Sequence, residues 1–141
     1  MQVENILQSK GRAVHTVAAR ATIAEAVDIL NSRRIGAVVV IDNGKIAGIL
    51  SERDVVRHLG KDWAALASRP VSDVMTRDVV IASRHATVAD VMERMTERRI
   101  RHLPVVDGPE LVGIISIGDV VKRKIEETEQ EATALKEYIA S

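Results

Sequence analysis

The sequence predicts an α+β fold, α/β-like in its alternation, built from two tandem β-α-β-β-α repeats related by pseudo-twofold symmetry. Three observations support this prediction. The chain matches itself after a shift of 65 residues, strand-like and helix-like segments alternate within each copy, and an N-terminal helix and a long C-terminal helix flank the copies. The length of 141 residues allows one ordinary domain or two small units that share a core.

The internal match has no gaps. Residues 14–58 align with residues 79–123, with 15 identities in 45 pairs. Residues 3–7 also resemble residues 71–75, and three extra residues then enter the first copy. Because a unit of about 60 residues is marginal alone, we expect the copies to bury an apolar face against each other. The predicted organisation is repeat 1 with the N-terminal helix over residues 1–62, a linker over 63–70, repeat 2 over 71–125 and a C-terminal helix extension over 126–141.

The N-terminal helix is predicted over residues 2–10. Val3, Ile6 and Leu7 fall on one face of this helix, and Gly11 is a typical residue for its C-terminal cap. Each repeat then begins with a short strand, predicted over residues 14–18 in the first copy and 79–82 in the second. The apolar joint between the copies is predicted to pack, with Trp63 as its anchor.

The first long helix of each repeat follows a capping-box spacing, which is Thr22-x-x-Glu25 in one copy and Thr87-x-x-Asp90 in the other. Two aliphatic strands come next, over residues 37–41 and 46–50 in the first copy, and their composition is typical of strands buried on both faces. Asn43-Gly44 between them is a strong hairpin signal, since both residues tolerate a positive φ. A second helix begins at Ser51 and at Ser116.

The last helix carries a stripe of apolar or neutral residues that recur every 4, 3, 4, 3 and 4 positions. Its members are Val121, Ile125, Thr128, Ala132, Leu135 and Ile139. This spacing resembles the seam of a coiled coil. Two interpretations stay open: the helix packs on its own domain, or it pairs two chains.

Composition excludes several classes of function. The chain has no Cys, so it has no disulfide framework, thiolate metal site or Cys nucleophile. The 20 basic and 20 acidic residues cancel, and only one Trp and one Tyr are present, which disfavours nucleic-acid binding. The four His residues lack metal-ligand spacing, and we find no nucleophile–base pair or Gly-rich phosphate loop, so neither an enzyme nor a metal site is predicted. With no signal peptide and no apolar run near the ~20 residues of a membrane span, a soluble cytoplasmic protein is expected.

Each copy ends in Gly, two apolar residues, and Ser-x-x-Asp: Gly48-Ile49-Leu50-Ser51-Glu52-Arg53-Asp54 and Gly113-Ile114-Ile115-Ser116-Ile117-Gly118-Asp119. Two such motifs in tandem β-α-β-β-α copies resemble a CBS domain pair, the module named after cystathionine β-synthase, here as a stand-alone tandem (Bateman) module. The resemblance implies a non-catalytic regulatory module without a cofactor. It implies that adenosine ligands (AMP, ADP, ATP, NAD(H) or S-adenosylmethionine) bind in clefts between the repeats, as in an energy or metabolite sensor. It also implies a homodimer.

The resemblance further implies which residues contact the ligand. A carboxylate accepts strong hydrogen bonds from both ribose hydroxyls, and this role would fall to Asp54 and Asp119, beside the motif hydroxyls of Ser51 and Ser116. The strand residues Thr16, Val17, Val80 and Ile81 would meet the adenine. Arg53, Arg101 and His102 would reach phosphate or base. Pro104 lies on the same strand as His102 and completes the set of contact residues. Because a proline lacks an N–H for the sheet, its presence predicts either an edge strand or a bulge.

Structural alternatives exist for each of these residues. Ser-x-x-Asp is also a capping-box spacing. Arg53 lies in a first helical turn, which a cation disfavours, so it either serves a phosphate or pairs with a neighbouring acid. The alternative for Arg101 and His102 is an edge-strand pair that faces solvent. Because Gly118 stands where the first copy has Arg53, we expect two inequivalent sites. The alternative function is a ligand-free structural or dimerisation module that recruits a partner through its C-terminal helix.

Overall fold

The computed structural model describes residues 1–11 and 13–140. The chain forms two compact units. Ala13–Val80 makes the first-repeat unit, and Met1–Arg12 with Ile81–Ser141 makes the second-repeat unit. This division differs from the predicted one, because the N-terminal helix packs with the second repeat rather than with the first.

The first-repeat unit contains β1 (Thr16–Ala18), α2 (Ile23–Arg33), β2 (Ala37–Asp42), β3 (Lys45–Ser51), α3 (Glu52–His58) and α4 (Trp63–Ala67), followed by a 3₁₀ turn at Val71–Asp73. The second-repeat unit contains α1 (Val3–Lys10), β4 (Ala82–Ser83), α5 (Val88–Arg98), β5 (His102–Asp107), β6 (Glu110–Ser116) and α6 (Ile117–Ala140). The predicted β-α-β-β-α order is therefore confirmed in both repeats.

Each unit is built on a three-stranded sheet. The central strand β2 pairs parallel with β1 and antiparallel with β3, and β5 pairs in the same way with β4 and β6. As predicted, residues Ala37 to Val40 of β2 are all buried. In β3 only Gly48 and Leu50, two alternate residues on one face, are buried, so the prediction of burial on both faces is wrong for this strand. The hairpin turn also agrees with the sequence, since Asn43 and Gly44 take φ of 51° and 73°.

Two segments occupy equivalent places on the two sheets. In the first-repeat unit, the Val71 N–H donates to the Ala21 carbonyl at 2.7 Å, and in the second-repeat unit the Val3 N–H donates to the Ala86 carbonyl at 2.9 Å. Residues 3–7 and 71–75, which match in sequence, therefore perform the same packing task. Each precedes one repeat along the chain and packs on the sheet of the other.

Pro104 explains why β4 is shorter than β1. In the first repeat, the N–H of Val39 donates to the His15 carbonyl at 3.4 Å, and β1 pairs with β2 from Thr16 onward. Pro104 has no N–H to donate, and β4 begins only at Ala82. The strand predicted over residues 79–82 is therefore wrong in its position. Pro104 is buried in the central strand, not at a sheet edge, and a bulge follows it at Val105/Val106.

The joint after α3 packs through a different residue than predicted. Leu66 of α4 is buried, whereas Trp63 is 43% exposed, so the prediction of Trp63 as the anchor is wrong. Leu66 is enclosed with Ile23 and Leu30 of α2 in the core of the first-repeat unit. Over the described part of the chain, no helix is both long and apolar enough to cross a membrane.

Candidate functional site

The first Ser-x-x-Asp motif caps α3. The Asp54 N–H donates to Ser51 Oγ at 3.3 Å, and the Ser51 N–H donates to Asp54 Oδ2 at 2.9 Å, which completes a capping box. Ser51 Oγ lies 3.1 Å from the same carboxylate oxygen. The structural interpretation of the motif is therefore confirmed, and a ligand role has to be compatible with it.

Asp54 is almost closed to solvent. Its residue exposure is 8%, and the hydroxyl of Thr76 donates to its other carboxylate oxygen, Oδ1, at 3.3 Å. An ionised carboxylate has about four acceptor positions. The contacts with Ser51 and Thr76 fill three of them, which leaves one for a ligand hydroxyl.

The second motif repeats the capping box but has a different neighbour. The Ser116 N–H donates to Asp119 Oδ2 at 2.9 Å, and the Asp119 N–H donates to Ser116 Oγ at 3.2 Å. The ammonium of Lys10 donates to the same Oδ2 at 2.5 Å and to the Ile114 carbonyl at 3.0 Å. Among the described residues, the bonds to the Asp119 carboxylate end on Oδ2, so Oδ1 keeps its acceptor capacity. The Asp119 side chain is also 26% exposed.

Lys10 favours the ionised form of Asp119. Burial alone would raise the pKa of this carboxyl, but the hydrogen bond from Lys10, the backbone N–H of Ser116 and the Lys10 charge outweigh it, so the pKa is lowered below 3.8. Asp119 is thus held as a carboxylate at neutral pH. A carboxylate is the form that accepts hydrogen bonds from both hydroxyls of a ribose.

Lys10 and Thr76 make corresponding contacts with different chemistry, and the sequence interpretation missed both. In the first-repeat unit, the Thr76 N–H donates to the Ile49 carbonyl and the Thr76 hydroxyl donates to Asp54. In the second-repeat unit, the ammonium of Lys10 performs both tasks. The upstream match between residues 3–7 and 71–75 indicates that the two segments do the same task, but carried further it pairs Gln8 with Thr76 and Lys10 with Asp78, so it does not identify this correspondence.

Arg101 and His102 lie beside the second motif. The Ile117 N–H donates to the Arg101 carbonyl at 2.7 Å, and His102 pairs across the sheet with Ser116. The structure therefore brings Arg101, His102, Ser116 and Asp119 together at the start of α6. Arg101 is exposed and His102 is half-buried.

The predicted adenine-contacting residues occupy less uniform positions. Thr16 is exposed on β1, whereas the Val17 side chain is buried in the core of its unit. Val80 and Ile81 were predicted on a strand, but both precede β4. The carbonyl of Ile81 already accepts a hydrogen bond from the Arg94 guanidinium at 2.7 Å, which reduces what it can offer a ligand.

The second residue of each helix that follows a Ser-x-x-Asp serine faces solvent. Arg53 is exposed on α3, and Gly118 is exposed at the corresponding position of α6. A Cβ at Gly118 would lie 3.6 Å from Ser116 Oγ, an ordinary contact. The second motif therefore has space for a side chain but lacks a charge there.

A cavity of about 260 Å³ opens beside Asp119 in the second-repeat unit. Lys10, Lys122 and Arg123 contribute cationic groups to its wall, and Glu126 contributes a second carboxylate. Within residues 1–11 and 13–140, no three His, Asp or Glu side chains gather as a metal would require.

Comparison with known proteins places both repeats in one family. The CBS domain model matches residues 6–61 and 71–126. The chain is 31% identical to the CBS domain-containing protein CBSX3, mitochondrial, of Arabidopsis thaliana, over 97% of this chain and 71% of that protein. It is 44% identical to the CBS-domain containing protein ATU1752 from Agrobacterium tumefaciens, whose crystal structure superposes with a TM-score of 0.83 over 88% of this chain and 99% of that chain. The CBS domain pair of protein MJ0100, crystallised in complex with 5-methylthioadenosine and S-adenosyl-L-methionine, is 27% identical with a TM-score of 0.78 over 90% of this chain and 98% of that chain.

Proposed function

Because the chain belongs to the CBS-domain family, we propose that it is a non-catalytic regulatory module that binds an adenosine-containing ligand and reports its concentration. AMP, ADP, ATP and NAD(H) are the proposed ligands. The ligands named for MJ0100 support the adenosine part of this proposal. The observation that carries it is the Asp119 carboxylate, which is ionised, partly exposed and open at Oδ1 beside Arg101 and His102.

In this proposal Asp119 and Asp54 accept hydrogen bonds from ribose hydroxyls. The capping boxes are compatible with that role, because they hold each carboxylate in one orientation and leave acceptor capacity unused. The proposed contact residues are those predicted from the sequence: Thr16, Val17, Ser51, Arg53, Asp54, Val80, Ile81, Arg101, His102, Pro104, Ser116 and Asp119.

The two motifs are proposed to differ in affinity and in ligand charge. Asp119 offers the more open carboxylate, and Lys10 adds a cation that attracts a phosphate group. Asp54 is nearly buried and is bonded to a neutral hydroxyl, with Arg53 as its nearby source of positive charge. We therefore expect the first ligand to engage Asp119.

The experiment is a thermal-shift titration of the full chain with AMP, ADP, ATP, NAD(H) and S-adenosylmethionine. A ligand at 100 times its dissociation constant adds about 2.7 kcal/mol to the free energy of unfolding. Asp119→Asn keeps the shape of the side chain but removes its charge. Since a hydrogen bond to a charged group contributes about 1.5–3 kcal/mol, this variant is expected to bind about 10- to 100-fold more weakly.

Glu25→Gln is the matched control. Glu25 accepts the Thr22 N–H at 3.1 Å in the capping box of α2, so the variant weakens a cap at a helix for which no ligand contact is proposed. It is expected to lower stability slightly and to leave ligand affinity unchanged. The proposal fails if no adenosine compound shifts the transition, or if Glu25→Gln lowers affinity as much as Asp119→Asn.

A second candidate function is structural. The C-terminal half of α6 is exposed on all sides, which is typical of a helix that meets another chain. In this case the module assembles or recruits a partner without a ligand. The two functions are compatible, and the titration above tests only the first.

A further inference from the structure

The apolar stripe of α6 does not pack on its own unit. Val120 is fully buried, whereas Val121, one residue later and turned by about 100°, is exposed. Further along the stripe the exposed fraction is 53% at Ile125, 59% at Leu135 and 74% at Ile139. The helix thus has two apolar faces, one against its own repeat and one facing solvent.

Thr128, the polar residue of the stripe, is compatible with an apolar contact. The hydroxyl of Thr128 donates to the Lys124 carbonyl of the preceding turn at 2.9 Å. Because its polar group is satisfied within the helix, the Thr128 methyl group can face an apolar partner without leaving a hydrogen bond unmade.

The last turns of α6 need support that their own unit does not supply. Every residue from 128 to 140 is exposed, so these turns extend about 18 Å into solvent. A helical stretch of this length is marginal in water unless an amphipathic face is packed. A partner along the stripe would provide that packing.

Charge along the helix identifies the partner and its direction. With Ile125, Ala132 and Ile139 at heptad position a, position e holds Lys122, Glu129 and Lys136. Position g holds Lys124, Glu131 and Tyr138. In a parallel pair each g residue meets the e residue five positions later on the other helix. Lys124 then meets Glu129, Glu131 meets Lys136, and twofold symmetry makes each pair twice.

We propose that α6 forms a parallel, in-register, two-stranded coiled coil with α6 of a second copy of this chain. An antiparallel pair over the same length places Lys122 against Lys136 and brings each of Glu129 and Glu131 against its own counterpart, so it gathers like charges. In the parallel arrangement each of the six stripe residues faces the same residue of the second helix. This inference is independent of the ligand proposal.

The chain contains no Cys, so a single introduced Cys reports the geometry directly. In the parallel pair, Leu135→Cys places two thiols across the seam, within the Cα separation of less than about 7 Å that a disulfide needs. Antiparallel helices would separate the two thiols by about 15 Å along the axis. Glu137→Cys is the matched control, because it lies two residues away at the outward position f. Mild oxidation is expected to convert most of Leu135→Cys into a covalent dimer and little of Glu137→Cys.

Charge reversal provides the second test, read by sedimentation equilibrium. Lys136→Glu sets like charges against each other in both copies of the Glu131–Lys136 pair, and the dimer is expected to weaken about tenfold. Adding Glu131→Lys restores opposite charges and should return the dissociation constant to within about threefold of the wild type. Both positions are exposed, so neither change is expected to affect folding of the repeats.

The outcomes separate the possible occupants of the stripe. Equal cross-linking of Leu135→Cys and Glu137→Cys would mean random collision and would overturn the proposal. A dimer strengthened by Lys136→Glu would overturn it in favour of antiparallel helices. A chain that sediments as a monomer and does not cross-link would overturn it as well, because two copies would then not pair through the stripe.

Discussion

The glycine that opens each motif is expected to be required by space rather than by backbone conformation. Gly48 and Gly113 are buried at equivalent positions of β3 and β6. A Cβ at Gly113 would lie 2.5 Å from Leu7 Cδ2, the end of one side chain. A Cβ at Gly48 would lie 2.6 Å from Met75 Sδ and 2.8 Å from the carbonyl oxygen of Thr76, which is backbone.

The two Gly→Ala variants should therefore differ in cost. Overpacking costs about 1–3 kcal/mol, and the stiffer unfolded chain returns about 0.4–1 kcal/mol. At Gly113 this leaves a destabilisation of about 1–2 kcal/mol, since Leu7 can move its terminal methyl. At Gly48 the Thr76 backbone must also move, which stretches its two hydrogen bonds with Ile49 (2.9 and 3.0 Å) and adds about 1–2 kcal/mol.

Urea denaturation at neutral pH measures the difference, with a second substitution as a check. Leu7→Ala removes the clashing atoms at Gly113, so its own cost should be about 1–2 kcal/mol smaller in the Gly113→Ala background. Met75→Ala should rescue Gly48→Ala only partly, because the Thr76 carbonyl remains. Equal costs at the two glycines, or full rescue by Met75→Ala, would refute the reasoning.

Three further predictions concern the charged and strand residues of the site. Lys10→Met should lower the free energy of unfolding by about 1 kcal/mol at pH 7. Because the pKa of Asp119 is lowered in the folded chain, the contribution of the ion pair is fully present above the unfolded pKa and declines as the pH falls through the folded pKa. The stability gap between the two chains should therefore shrink steadily in acid, and a pH-independent gap would contradict this. Pro104→Val should restore a strand N–H, detected as a slowly exchanging amide at residue 104, and rapid exchange there would count against our account of the short β4. Arg53→Ala should weaken the binding of ATP more than the binding of adenosine, and Gly118→Arg should strengthen the binding of ATP. Calorimetry at low and high salt tests both variants, and affinities that do not depend on salt would exclude a phosphate contact.

Local sequence signals predicted most elements because they act over a few residues. The Thr22 cap, the Asn43-Gly44 turn and the Ser51 and Ser116 helix starts depend on side chain–backbone bonds or on φ alone. Pro104 acts over a longer distance in the chain. Because it has no N–H to donate, the start of β4, some twenty residues before it, is delayed to Ala82. No local pattern at residues 79–82 indicates this.

The candidate site was predictable only in its repeated part. Ser51, Asp54, Ser116 and Asp119 recur at a fixed spacing, so the internal match identifies them. Lys10 acts on a carboxylate more than a hundred residues away, and its role depends on which repeat the first helix packs against. Chain order suggested the first repeat, and the contacts of Val3 with Ala86 favour the second.

The segments at residues 3–7 and 71–75, which each precede one repeat and pack on the sheet of the other, also govern the order in which this chain can fold as it is synthesised. The first-repeat unit has all its residues once the chain reaches residue 80, including the segment at 71–75 that covers its sheet. Helix α1 precedes both repeats along the chain, but its sheet is complete only after Ser116, about 100 residues later. At a synthesis rate of about 5–20 residues per second, the apolar face of α1 waits roughly 5–20 s for its partner. A chaperone or a temporary contact during that interval would therefore act on the apolar face of α1.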